Sequence, residues 1–170
     1  MSIFDTSTED MPGMRQLVDW SAAVWAGLVA GLAFMLVNVI AIPLYEGLSS
    51  WAIVRYIASL VLGEGILVSA EPNMAILMTA IVVNFVLSIC YALVLAIIIH
   101  RWGMIVGVIL GALFGFALYL INMGAFTLLY PWFEAIYSRW FIVAHVVFGA
   151  VAGGIYELLE VEEFVPVEEA

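Results

Sequence analysis

The chain has 170 residues, 66% of them hydrophobic and 11% charged, with a mean hydropathy of +1.20 and a formal net charge of −10. Soluble domains draw roughly half of their residues from the apolar set, so this composition excludes a soluble globular enzyme and a disordered chain. A single cysteine, Cys90, placed inside an apolar run, excludes a disulfide-stapled module and leaves a small polytopic membrane protein.

Residues 1–19 form an acidic N-terminal tail, with Asp5, Glu9, Asp10 and Asp19 against one cation, Arg15. The tail lacks the basic start and small-residue cleavage site of a signal peptide, so the first apolar span is expected to remain as an anchor. A helix crossing the hydrocarbon layer takes about 20 apolar residues, and four stretches satisfy that length. The first is expected over about 20–42, ending ahead of Pro43. In the loop that follows, residues 51–62 are too apolar to be solvated and too short to span. They predict a helix over about 50–63 lying in the membrane interface and ending at Gly63. Arg55 on that helix would snorkel to the headgroups or pair with Glu46, Glu64 or Glu71.

The second span is expected over about 74–99, followed by a short turn carrying His100 and Arg101. The third is expected over about 103–129, stopping before Pro131, and the fourth over about 139–159. All four read as continuous helices, with no Asp, Glu, Lys or Arg in mid-span, as desolvation requires. Residues 160–170 form an acidic tail in which Glu160, Glu162, Glu163, Glu168 and Glu169 have no cation among them. Such a tail reads as solvated and flexible, repelled by anionic lipid. The expected fold is thus all-α: a four-transmembrane-helix bundle over 20–159, built from two tandem hairpins with an interfacial helix in the first loop.

Tryptophans mark the boundaries. Trp20, Trp25 and Trp102 fall near one interface, and Trp51, Trp132 and Trp140 near the other. There is no lysine, and the four arginines divide evenly between the two sides, so cation bias gives no majority. The short turn with His100 and Arg101 hugs the membrane, where a cation is hardest to translocate. That places both termini in the cytoplasm.

An internal repeat is the most informative feature. The first span reads Gly27-x3-Gly31-x-Ala33-x4-Asn38, and the third reads Gly111-x3-Gly115-x-Ala117-x4-Asn122. The second and fourth spans align in either of two ways: Asn84-x3-Ser88 with His145-x3-Gly149, or Ser88-x2-Tyr91 with Gly153-x2-Tyr156. Two hairpins in tandem enter the membrane in the same direction, which makes a parallel repeat about the membrane normal. Small residues recur every fourth position in Gly27 and Gly31, in Gly103, Gly107, Gly111 and Gly115, and in Gly149 and Gly153. Strips of this kind let helix backbones approach closely where lipid supplies no hydrophobic drive. They serve packing within the bundle or, alternatively, a homo-oligomer or another subunit.

Eleven residues make about three helical turns, so Asn38 shares the face of Gly27, and Asn122 that of Gly111. His145 lies one turn before Gly149 and Asn84 one turn before Ser88. The four polar side chains Asn38, Asn84, Asn122 and His145 are therefore expected to point inward as one hydrogen-bonded cluster near Tyr91, Tyr119 and Thr127. Such a cluster acts as polar glue between helices or as a pocket for a lipid headgroup, a quinone or a small solute. His145, the ionisable member, is the first to test, and His145→Ala is expected to impair function more than stability.

Catalytic and cofactor chemistries find no residues here. Bis-histidine haem needs two intramembrane histidines, and His100 is interfacial. No clustered Cys, His or carboxylate ligands indicate a metal. The scattered methionines are packing residues, and the acidic balance argues against nucleic acid. No cofactor is expected.

The chain resembles a family of small bacterial four-helix inner-membrane proteins with no assigned activity. The resemblance rests on Ala26-Gly27-x3-Gly31, Arg55-x2-Ala58-x3-Leu62-Gly63, Asn84-x3-Ser88-x2-Tyr91, Ala117-x-Tyr119-x2-Asn122, Tyr130-Pro-Trp-Phe133 and Ala144-His145-x2-Phe148-Gly149, and covers about residues 22–156. Relatives often carry a histidine where this chain has Asn84. Some relatives bear a sodium:proline symporter label, but symporters of that type use many more helices, unwound at mid-membrane. The resulting expectation is a non-catalytic inner-membrane protein, a structural or accessory subunit of a larger membrane complex. Its partners would be the bilayer and other membrane subunits or further copies of itself. The alternative is an oligomeric small-solute transporter or channel subunit using the Asn/His cluster.

Overall fold

A computed structural model describes residues 14–136 and 138–166. It is an all-α membrane bundle with four helices long and apolar enough to cross a bilayer: Trp20–Glu46, Met74–Ile99, Met104–Leu129 and Arg139–Leu159. In chain order the elements are β1 (Met14–Gln16), α1 (Trp20–Glu46), α2 (Ser50–Leu62), α3 (Met74–Ile99), α4 (Met104–Ile121), a π-helical stretch Asn122–Phe126, α5 (Thr127–Leu129), α6 (Arg139–Leu159) and β2 (Phe164–Pro166). Short 3-10 turns lie at Glu64–Leu67 and Pro131–Ile136.

Side-chain caps start most of the helices. Asp19 accepts from the Ala22 N–H, Ser49 from Ala52, Asn73 from Ala75 and Ile76, and Ser138 from Phe141. Helix α4 differs, opening on Gly103 at φ +76°, a left-handed conformation that glycine adopts without penalty.

Helix α1 does not stop before Pro43. It runs through it to Glu46 and ends on the left-handed Gly47. Proline lacks the N–H that would bond the carbonyl four residues back, which here is Val39. The Ser50 hydroxyl, at the start of α2, donates to that carbonyl at 2.9 Å and removes the reason to break.

Helix α1 packs against α3 and α6, and α6 against α4, whereas α3 and α4 meet sparsely although they are consecutive. The bundle order is therefore α3–α1–α6–α4. At the end that carries the chain termini, the core consists of small and aliphatic side chains, among them Ala23, Ala26, Ala30, Leu95, Ala96 and Ile99, with Tyr156. At the opposite, loop end, Ile42, Ile53, Met123, Phe133, Ile136 and Phe141 form a second cluster. Helix α2 is part of this structure rather than a free surface helix, since Val54 and Ala58 pack on Ala80 of α3. Arg55 does not pair with a glutamate: its Nη1 donates to the carbonyls of Leu67 and Ser69, closing the loop beneath α2.

Glycines set both hairpin seams. A Cβ on Gly27 would lie 2.7 Å from Ile89 Cα, and one on Gly31 2.8 Å from Ser88 Cβ. On the other seam, a Cβ on Gly111 would overlap the Gly149 carbonyl, one on Gly115 the His145 carbonyl, and one on Gly153 the Gly107 carbonyl. Gly107 also lies beneath the Glu157 side chain. Gly103 does not belong to the strip. A Cβ on it would meet nothing within 4 Å, and its role is the turn before α4.

These contacts settle the repeat alignment. Gly31 faces Asn84 and Ser88 as Gly115 faces His145 and Gly149, and Gly27 faces Ser88 and Ala92 as Gly111 faces Gly149 and Gly153. Asn84 and Ser88 thus correspond to His145 and Gly149, the first of the two alignments.

The beginning of the acidic tail is tied down, not free. β1 pairs antiparallel with β2, Met14 opposite Pro166, and the Leu17 N–H donates to the Glu163 carbonyl. Glu168 and Glu169, like Asp5, Glu9 and Asp10, lie outside the described residues.

Candidate functional site: a cavity at the loop end

The loop-end half holds a cavity of about 100 Å³ that is open to the outside. Asn38, Asn84, Asn122 and His145 all line it, but not as a single hydrogen-bonded cluster. Two of them bond each other, and two bond backbone.

His145 is fixed from both sides. Nδ1 lies 2.8 Å from the Phe141 carbonyl one turn earlier, and Nε2 lies 3.0 Å from Asn122 Nδ2. A carbonyl can only accept, so Nδ1 carries the proton and Nε2 accepts from the Asn122 amide. Phe34 and Phe141 meet the ring edge-on, with centroids 4.9 and 4.6 Å away. Both nitrogens are engaged within the fold, so removing the ring carries a structural cost as well as any functional one.

The third span is not a uniform α-helix. It changes to π spacing at Asn122, the residue that reaches His145. π-helical turns are rare and concentrate at functional sites. Just past its end, Thr127 Oγ1 donates back to the Met123 carbonyl at 2.7 Å.

Asn84 donates across the α1–α3 seam to the Gly31 carbonyl at 3.0 Å. Asn38 is fully buried and donates from Nδ2 to the Phe34 carbonyl of its own helix at 2.8 Å. Its Oδ1 is buried without a hydrogen-bond partner. Buried polar atoms of this kind are exceptions that need a cause.

The remaining wall is largely apolar and strongly aromatic, with Phe126, Phe133 and Phe148, and it also carries the hydroxyl-bearing Ser88, Tyr56 and Tyr91. Inspection of the four spans alone misses the contribution of α2, which places Ile53, Tyr56, Ile57 and Leu60 on the cavity. Their i, i+3, i+4, i+7 spacing was the available signal. Trp132 anchors this lid: its Nε1 donates to Ser59 Oγ at 2.9 Å, and Ser59 donates to the Tyr56 carbonyl at 2.7 Å. Among the described residues no Asp, Glu, Lys or Arg lines the cavity. Among the described residues no group of three His, Cys, Asp or Glu could hold a metal ion.

At the other end of the bundle a polar clasp joins the two terminal segments. Tyr156 Oη accepts from the Asp19 N–H and donates to Glu160 Oε1, each at 3.2 Å, and Gln16 Nε2 donates to the same Glu160 oxygen at 3.0 Å. Asp19 Oδ2 accepts from the Val161 N–H at 3.1 Å. The Ala22 N–H holds the Asp19 carboxyl below its usual range, whereas burial pushes Glu160 above its own.

In comparisons with known proteins, no family, no curated protein and no solved structure matches the chain.

Proposed function

We propose that this chain is a non-catalytic component of a larger membrane assembly, working as a rigid accessory subunit in the bacterial inner membrane with both termini in the cytoplasm. The observation that carries this reading is the interlocking of the two seams. Gly111 and Gly149 lie backbone against backbone, and Gly27 lies against the α3 backbone, so neither hairpin can shear without collision. Alternating access needs one repeat to rock against the other; the seams make each hairpin rigid, and the packing of α1 on α6, with Phe34 against Phe141, His145 and Phe148, holds the two repeats together. The polar groups also serve the fold: His145, Asn122 and Asn84 bond one another or backbone.

Purification in mild detergent from native expression levels, with mass analysis of accompanying proteins, tests the proposal. Other membrane subunits at fixed stoichiometry are the expected result. A homo-oligomer without partners, combined with solute flux in vesicles, would replace it with the transporter or channel reading. That reading draws on the parallel repeat and the polar side chains along the cavity wall.

A further inference from the structure

Asn38 presents an acceptor that the protein does not satisfy. Its nitrogen must face the Phe34 carbonyl, because two oxygens cannot hydrogen-bond each other, so the carboxamide orientation is fixed. The oxygen left over is buried, has no donor, and belongs to a residue on the cavity wall. A buried orphan acceptor carries its full desolvation cost until a donor reaches it.

The cavity restricts what that donor can be. With no Arg or Lys in its lining, nothing offers the charge-assisted bonds a phosphate headgroup requires. With no Asp or Glu there, a protonated amine would be buried without a counter-charge. Neutral donors remain, and of these the hydroxyl is the commonest on uncharged amphiphiles that dissolve in a bilayer. The walls are largely apolar and aromatic, as the walls of small-molecule sites are. Apart from Phe34 on α1, the half-buried wall residues sit on three elements: Tyr56, Ile57 and Leu60 on α2, Leu87 and Tyr91 on α3, and Asn122 and Phe126 on the π-helical stretch. These three elements include the two spans that pack sparsely on each other, α3 and the span that α4 begins, and both are membrane spans.

We infer that the loop-end cavity binds an uncharged, hydroxyl-bearing amphiphile, whose O–H donates to Asn38 Oδ1 while its hydrocarbon leaves between α3 and the π-helical stretch into the bilayer. Diacylglycerols, long-chain alcohols and quinols share this chemistry. The inference goes beyond the accessory role and does not depend on it, since the purified chain alone suffices for the test.

The probe pair is dioleoylglycerol and its methyl ether, which differ by the one donor. Full-length protein in mild detergent is equilibrated with an equimolar mixture of the two, and native mass spectrometry reads the retained species. The alcohol is expected to be retained about tenfold over the ether, the effect of satisfying one buried acceptor. Dioleoyl phosphatidic acid should be retained no better than the ether. Asn38→Leu should bring the alcohol-to-ether ratio to about one while the protein still elutes as a folded species. Leu87→Trp, which fills the rim, should lower retention of both probes. Equal retention of alcohol and ether by the native protein overturns the inference, because it reduces the cavity to an adventitious slot for acyl chains. So does a ratio unchanged by Asn38→Leu, or retention unchanged by Leu87→Trp. Should Asn38→Leu fail to fold, the native ratio and Leu87→Trp decide the matter on their own.

Discussion

The α1–α3 hairpin and the α4–α6 hairpin use one glycine spacing to reach two different closures. Helix α1 brings Gly31 against the Ser88 side chain and Gly27 against the Ile89 Cα and the Ser88 carbonyl, so glycine stands on one side of that seam only. Helix α4 brings Gly107, Gly111 and Gly115 against Gly149 and Gly153, so there is backbone on both sides. Van der Waals packing at close approach is the main source of helix association in lipid. The double-sided seam is therefore the more intolerant of added volume, whereas on the single-sided seam the overlap at Gly27 is shallower and Gly31 faces a side chain that can give.

The largest expected effect follows directly. Gly111→Ala places a methyl group into the Gly149 carbonyl and should cost about 3 kcal/mol or prevent folding altogether. Gly27→Ala meets Ile89 Cα at 2.7 Å and should cost about 1–2 kcal/mol. Gly124→Ala, with nothing within 4 Å, should be neutral or slightly stabilising through helix propensity. Thermal unfolding in detergent, followed by circular dichroism, ranks the three. A Gly27→Ala variant as damaged as Gly111→Ala would erase the distinction between the seams.

The same contrast extends to the polar residues at the loop end. Asn84 and His145 occupy equivalent positions, but Asn84 makes one bond to the Gly31 carbonyl, whereas His145 bonds at both nitrogens and is enclosed by aromatic rings. His145→Ala should cost about 2–3 kcal/mol, because it opens a void and leaves the Asn122 amide unpaired. Asn84→Ala should cost about 1 kcal/mol, since the Gly31 carbonyl keeps its place in the helix ladder. A double-mutant cycle on His145 and Asn122 should show coupling of about 1 kcal/mol. Coupling near zero would mean that the 3.0 Å contact contributes nothing to stability.

Much of the fold was legible in the sequence because its determinants are local. Helices α3 and α6 begin on Asn73 and Ser138, whose side chains cap them, and their apolar lengths match the bilayer. Pro43 misleads, because the rule that proline ends a helix assumes the freed carbonyl finds no new donor, and Ser50 supplies one. Gly103 fits a four-residue spacing by position alone, and φ +76° shows it to be a turn residue. The π-helical stretch leaves no trace in hydropathy, since an α and a π turn through an apolar run read alike. Helical periodicity correctly turned Asn38, Asn84, Asn122 and His145 inward. It could not reveal their partners, which depend on the neighbouring helix for Asn84 and on the π turn for Asn122.

The smallest effect tests a second contrast, between the two carboxylates that clasp the terminal segments. Asp19 accepts backbone N–H groups from Ala22 and Val161 and titrates below its ordinary value near 3.8. Its contribution to stability is present above that value and is lost as pH falls through the lower folded pKa. Glu160 is pushed the other way by burial, above its ordinary value near 4.5, so its contribution is present in acid and fades as pH rises through the raised folded pKa. The clasp should therefore loosen at both edges of a narrow acidic window. Asp19→Asn should flatten the low-pH edge, and Glu160→Gln the high-pH edge, each by less than about 1 kcal/mol because both groups are partly solvated. Hydrogen exchange at the Leu17 and Val161 amides, followed from pH 3 to pH 7 and corrected for intrinsic rates, would resolve the two edges. Protection that stays level across that range in the unmodified chain would show that β1 and β2 hold the ends together without either carboxylate.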